Sequence, residues 1–147
     1  MLRYGGRANV ALRGRATQSD TVDFRGGASN TIDGNRDSVY NHSSCTETSP
    51  QTSPWWRVDL LEPVHRHLHH HHKQGDCCPE RLNGAEIRLG NTQNNNPMCA
   101  FISSIPSGGT RQFACDGMDG RYVTIVIPDG RRVLHMCEVE VYGSVLD

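Results

Sequence analysis

Five short segments, "NVALRG", "WWRVDL", "AEIRLG", "RYVTIVI" and "CEVEVYG", constrain this chain more than any other feature. Each is rich in β-branched or aromatic residues, and each alternates apolar with polar or runs apolar. Between them lie turn-forming stretches: "SNTIDGNRDS", "TSPQTSP", "GNTQNNNP", "IPSGG" and "IPDGRR". No window carries a capped helical period. The pattern predicts an all-β fold, an antiparallel sandwich or barrel, with function on loops at one end.

The chain has 147 residues and a formal net charge of -1, a length suited to one domain with one core. Charges are well mixed and form no basic patch. Nucleic acid is therefore not an expected partner, and the apolar runs are too short for membrane insertion. The start "MLRYGGRANV" shows no secretory leader. The cysteines are Cys45, Cys77, Cys78, Cys99, Cys115 and Cys137. An even number in a small Gly- and Asn-rich domain points to disulfides and an oxidising, extracellular compartment. Spacing alone does not choose a pairing, and the absence of a CxxC pair argues against a zinc ribbon.

Three features carry candidate chemistry. Asn30, Asp33, Asn35 and Asp37 cluster oxygen ligands of the kind hard cations take, although an Asx turn stabilising itself has the same composition. Cys77 and Cys78 either form a vicinal disulfide or point apart and pair elsewhere. Beside them Arg81 offers a fixed fork of donors suited to sugar hydroxyls or carboxylates. Trp55 and Trp56 either form a stacking platform or, next to "RVDL", pack into the core, which is the expected reading. No nucleophile elbow, zincin helix, P-loop or dinucleotide fingerprint is present. Asp59 and Glu62 make a glycosidase-like pair by composition only, and no enzyme is expected.

Read together, "NVALRGRATQS", "ASNTIDGNRDS", "SCT", "PWWRVDLL", "GDCCPERLNGAEIRLG" and "CEVEVYG" resemble the F-type lectins, the fucose-binding fucolectin family. The resemblance runs from about Asn9 to Gly143, with residues 1–8 an N-terminal extension and 144–147 a tail. It implies a disulfide-bonded β-sandwich of jelly-roll type, a structural calcium ion, and a shallow site for terminal L-fucose of glycans, made by loops at one end. A secreted lectin of innate immunity is implied. A lectin-fold interaction module without sugar binding, an accessory domain of a larger enzyme, and homo-oligomer formation stay open.

The resemblance implies disulfides Cys45–Cys137, Cys99–Cys115 and Cys77–Cys78, the last touching the sugar. It implies calcium ligands at Asn30, Asp33, Asn35, Ser44, Cys137 (through its carbonyl) and Glu138. The sugar contacts would fall to residues 47, 74, 76, 77, 78 and 81, with Tyr40 on the apolar side. Asp76, Cys77, Cys78 and Arg81 match the family pattern. Glu47 stands where the family has histidine, and Gln74 where it has the first arginine. Losing one charged hydrogen bond to a ligand costs about 1.5–3 kcal/mol, roughly 10- to 150-fold in affinity. Losing two is enough to abolish measurable binding of a weakly held monosaccharide, so weak or absent fucose binding is expected.

The segment "VHRHLHHHHKQ", residues 64–74, falls where the family has a strand. In a strand His65, His67, His69 and His71 share one face. Burying an imidazole without a partner costs on the order of 1–3 kcal/mol, so a buried strand of this composition is not expected. A zinc or copper site and an inserted tag are alternatives. A third reading is at the codon level, because a histidine codon followed by C reads as Thr or Ile one base later. A base gained near residue 64 and lost near Gly75 would turn the block into a strand such as "YTVTSITITNR", with arginine at position 74.

Overall fold

The computed structural model describes residues 3–4, 7–21, 27–34, 45–72, 82–103, 110–115, 118–128 and 130–144. The strands, in chain order, are β1 Arg3–Tyr4, β2 Arg7–Ala8, β3 Arg15–Gln18, β4 Thr46–Glu47, β5 Gln51–Thr52 and β6 Trp55–His72. They continue as β7 Ala85–Gly90, β8 Met98–Ile102, β9 Thr110–Cys115, β10 Gly120–Val126, β11 Arg131–Arg132, β12 His135–Met136 and β13 Glu138–Ser144. The described helices are two short 3-10 turns, Val10–Arg13 and Ala28–Ile32. Every described strand pairing is antiparallel. The all-β sandwich expected from the alternating segments is the observed fold.

The long strand β6 organises both layers. Its first part, Trp55 to Asp59, lies between β3 and β10, and the sheet continues through β7 to β8. Its second part, His65 to His72, lies between β13 and β9. The bend between them is local chemistry. Leu61 sits at φ 73, an unusual conformation for a non-glycine residue, and its N–H donates to Asp59 Oδ1 at 2.8 Å. Arg121 then clamps both Asp59 oxygens, at 2.7 and 2.9 Å.

Alternation decides what enters the core. Trp56, Val58, Leu60 and Val64 of β6 are fully buried with Ile87 of β7, Val123 and Ile125 of β10, and Val139 and Val141 of β13. Each such side chain contributes about 1.5–3 kcal/mol through removal from water. Trp56 also donates its indole N–H to the Ala28 carbonyl at 3.2 Å, fastening the second 3-10 turn to the core. Trp55, one residue away, points outward and is only partly covered. The core expectation holds for Trp56 and fails for Trp55, because consecutive strand residues face opposite sides.

"NVALRG" is a 3-10 turn, not the strand its apolar residues suggested. Buried Asn9 explains the change: its Oδ1 accepts from Ala11 N at 3.1 Å and from Val141 N at 3.0 Å. One amide thus caps the turn and ties it to β13. Gly14 then passes so close to β6 that a Cβ there would lie 2.7 Å from Val58 Cγ2 and 2.8 Å from the Asp59 carbonyl oxygen.

Two disulfides staple the described chain, Cys45–Cys137 and Cys99–Cys115, as the resemblance implied. The first spans 92 residues, and closing a loop of that length in the unfolded chain stabilises by roughly 4–5 kcal/mol on the chain-entropy account. Cys77 and Cys78 lie outside the described residues.

Candidate functional site

The Cys45–Cys137 bond begins a short ladder at one end of the sandwich. From the bond, antiparallel register sets Thr46 opposite Met136 and Glu47 opposite His135. The next strand pair sets Gln51 opposite Arg132 and Thr52 opposite Arg131. Side chains from the end of β3 and the residues just after it pin this loop. Gln18 joins Thr46 through its side-chain oxygen and the Glu47 carbonyl through its amide. Asp20 accepts from Ser49 N at 2.8 Å, from the Ser49 hydroxyl, and from Gln51 Nε2 at 2.8 Å. The Ser49 hydroxyl is the main cause holding the Asp20 carboxyl below its ordinary range.

Arg132 extends this end toward the segment that carries the other candidate sugar contacts. Its guanidinium donates to the Asn83 carbonyl at 2.8 Å, just beyond that segment. Gln74, Asp76, Cys77, Cys78 and Arg81 lie outside the described residues, as does Tyr40. Glu47 is therefore the candidate sugar residue whose surroundings are described. Its Oε1 lies 3.1 Å from Nε2 of His135, a histidine that is 2% exposed.

His135 was not among the residues singled out from the sequence. The signal for it is arithmetic: once Cys45 pairs with Cys137, antiparallel register carries residue 47 onto residue 135. The chain thus keeps an imidazole beside position 47, supplied from the opposite strand rather than from position 47 itself.

The cation candidates converge beside the same disulfide. Asn30 lies in the second 3-10 turn, and its Nδ2 donates to the Cys45 carbonyl at 3.0 Å. Asp33 ends that turn, and the N–H of Gly34 donates to Glu138 Oε2 at 2.9 Å. Glu138 follows Cys137 and is fully buried. Its Oε1 has no hydrogen-bond partner among the described residues. Burial is the main cause pushing its carboxyl up to about 9; the Gly34 N–H opposes, while the Asp33 and Glu140 charges and a hydrogen bond with Asp33 add to the rise. A buried carboxylate with one unsatisfied oxygen, beside a second carboxylate and an amide, fits a hard cation. Asn35 and Ser44 lie outside the described residues.

The histidine-rich half of β6 reverses one expectation. His67, His69 and His71 do share a face, and that face is buried, with exposures of 1% or less. Their arrangement shows how polar rings are tolerated there. Nε2 of His67 lies 3.0 Å from the Gly120 carbonyl, so it carries the hydrogen. Its Nδ1 lies 2.9 Å from Nε2 of His69 and must accept. His69 packs against His71, and His71 meets Phe113 edge-on. Among the described residues no group of three or more His, Cys, Asp or Glu is arranged to hold a metal ion, so the zinc or copper reading gains no support.

The glycosidase-like pair also resolves into structure. Asp59 is bound by Arg121, whose hydrogen bond is the main cause holding the carboxyl below its ordinary range. Glu62 pairs with Arg13 at 2.9 Å.

The sandwich and its stapled loop end define a disulfide-bonded β-sandwich domain. A family model described as a NedA-like, galactose-binding domain matches residues 30–125. The chain belongs to the fucolectin family, the F-type lectins. It is 48% identical over 144 residues to "Fucolectin" of Anguilla anguilla, covering 90% of this chain and 89% of that protein. It is similar, with a TM-score of 0.90 and 47% identity, to an f-lectin (fucolectin) from the serum of Morone saxatilis, striped bass. That match covers 95% of this chain and 48% of the bass chain, so this chain spans about half of its length. A Streptococcus pneumoniae fucose-binding module superposes with a TM-score of 0.87 at 25% identity, over 97% of this chain and 100% of the module.

Proposed function

We propose that this domain binds terminal L-fucose on glycans, outside the cell, without chemistry. The observation that carries the reading is shared fold and sequence with a family whose members are named for fucose, across nearly the whole chain. The two disulfides suit an oxidising compartment. In this reading Arg81, Asp76 and the Cys77–Cys78 pair contact the sugar, and Tyr40 lines its apolar side. Glu47 accepts a hydrogen bond from a sugar hydroxyl, with His135 Nε2 beside its carboxylate. With Gln74 in place of an arginine, the site loses a charged donor, and affinity falls below the family norm.

Calcium is the proposed cofactor, held by Asn30, Asp33, Asn35, Ser44, the Cys137 carbonyl and Glu138. Its role is structural: it neutralises buried carboxylates and fixes the turn to the disulfide.

Retention on L-fucose–agarose, with elution by free L-fucose and not by D-glucose, tests the reading. A second reading follows from the engagement of Glu47 by His135 and the missing arginine: a lectin-fold interaction module that passes through the column unretained.

A further inference from the structure

The outward face of the five-stranded sheet holds a groove of about 490 Å³, and among the described residues its lining includes none of the candidate sugar or cation residues. That volume falls within the range of small-molecule sites, roughly 300–1,000 Å³. Trp55, Thr124 and Val126 lie along it, with Arg57, Glu86 and Arg88 beside them and the loop from Gln93 to Asn96 as a further wall. We propose that this groove is a second saccharide subsite, taking an anionic sugar residue whose carboxylate or sulfate pairs with Arg57.

Charge selects the anion. Glu86 is already matched by Arg88, through Nε at 2.9 Å and the second guanidinium nitrogen at 2.8 Å. Arg88 spends its remaining nitrogen on the Asn96 carbonyl at 2.8 Å. Arg57 has no carboxylate partner among the described residues. One of its terminal nitrogens donates to the Gln93 carbonyl at 3.0 Å, which leaves the other donors of the fork for a ligand.

Stacking sets the geometry. The Arg57 guanidinium carbon lies 5.0 Å from the centre of the Trp55 ring. A guanidinium held over an aromatic face keeps its N–H groups directed in its own plane, the arrangement that meets a carboxylate or sulfate with two bonds.

The polar wall is held in place from behind. Asn96, 5% exposed, accepts from the Thr92 hydroxyl at 2.7 Å and donates to the Thr92 carbonyl at 2.7 Å. Asn95 sits at φ 63. The side-chain amides of Gln93, Asn94 and Asn95 supply donors and acceptors of the kind that sugar hydroxyls need. Trp55, Thr124 and Val126 supply a partly apolar surface for the C–H face of a pyranose.

The two tryptophans make the test direct, because Trp56 is buried and Trp55 borders the groove. Their indole N–H signals are followed by NMR at fixed ionic strength. The titrants are methyl glucuronoside, methyl galactoside 6-sulfate, neutral methyl galactoside and sodium sulfate. Saturable movement of the Trp55 signal with either acidic glycoside is expected, and which one binds tells carboxylate from sulfate. Arg57→Gln should weaken that binding about tenfold or more, Arg57→Lys should restore part of it, and L-fucose affinity in the same samples should stay unchanged. No saturable movement, equal binding by Arg57→Gln, or sulfate alone binding as tightly as the sulfated sugar would each overturn the proposal. Because L-fucose is titrated in parallel, failure here is distinguishable from failure of the fucose reading.

Discussion

Glu47 and His135 face each other across the β4–β12 pair, with carboxylate oxygen and imidazole nitrogen 3.1 Å apart and the imidazole almost fully buried. The pair links a candidate sugar residue to the interior through one contact. Glu47→Ala should destabilise the domain by up to about 1 kcal/mol, since the contact is a close approach of carboxylate and imidazole outside hydrogen-bond geometry. Urea unfolding measures this, and an unchanged midpoint would mean that the contact contributes nothing.

Acid should weaken the fold through His67. Burial is the main cause holding its imidazole below the ordinary 6.5, against the hydrogen bond to the Gly120 carbonyl. The unfolded chain therefore takes up a proton before the folded chain does. The contribution of the neutral ring is complete above about pH 6.5 and declines as pH falls toward the depressed folded value, by up to about 1.4 kcal/mol per pH unit for one proton. Thermal unfolding between pH 7.5 and 5 should show this decline, and His67→Gln, which keeps a donor and cannot titrate, should flatten it. Identical slopes for the two proteins would remove His67 as the cause.

Calcium should stabilise the domain through Glu138. An ion that binds only the folded state at 100 times its Kd adds about 2.7 kcal/mol, which a melting curve with and without EDTA resolves. Glu138→Gln should abolish the calcium response. A response of full size in that variant would place the ion elsewhere.

The buried histidine row should be improvable. His69→Ile and His71→Ile put β-branched apolar residues on a buried strand face beside Val139, Val141 and Phe113. The double variant exchanges the His67–His69 contact for apolar burial, so its net gain in stability should be small, about 1 kcal/mol, read by urea unfolding. A loss of that size would mean that the rings are matched to this core. The shifted-frame strand "YTVTSITITNR" carries isoleucine at both positions.

What the sequence made legible was period and parity. Alternation found β7, β10, β13 and the start of β6, and it set His67, His69 and His71 on one face. It misjudged which environment that face meets, because polarity of the side chains outweighed position in the argument. The lateral pairing of His67 with His69 and with the Gly120 carbonyl, which offsets the burial, is a tertiary fact that no local pattern records. "NVALRG" misled for a similar reason, since Asn9 takes its second partner from Val141, far along the chain. Trp55 and Trp56 were separable by parity alone. His135 became findable only through the cysteine pairing.

The most direct measurement of the central claim is calorimetric titration of L-fucose into the calcium-loaded domain, with the Anguilla anguilla fucolectin alongside. The account predicts saturable one-site binding, weaker than that of the eel protein by roughly 10- to 150-fold for the missing charged contact at position 74. Gln74→Arg should recover part of the difference. No saturable heat from the domain or from Gln74→Arg, under conditions where the eel protein binds, would contradict the account and leave an interaction module in the lectin fold.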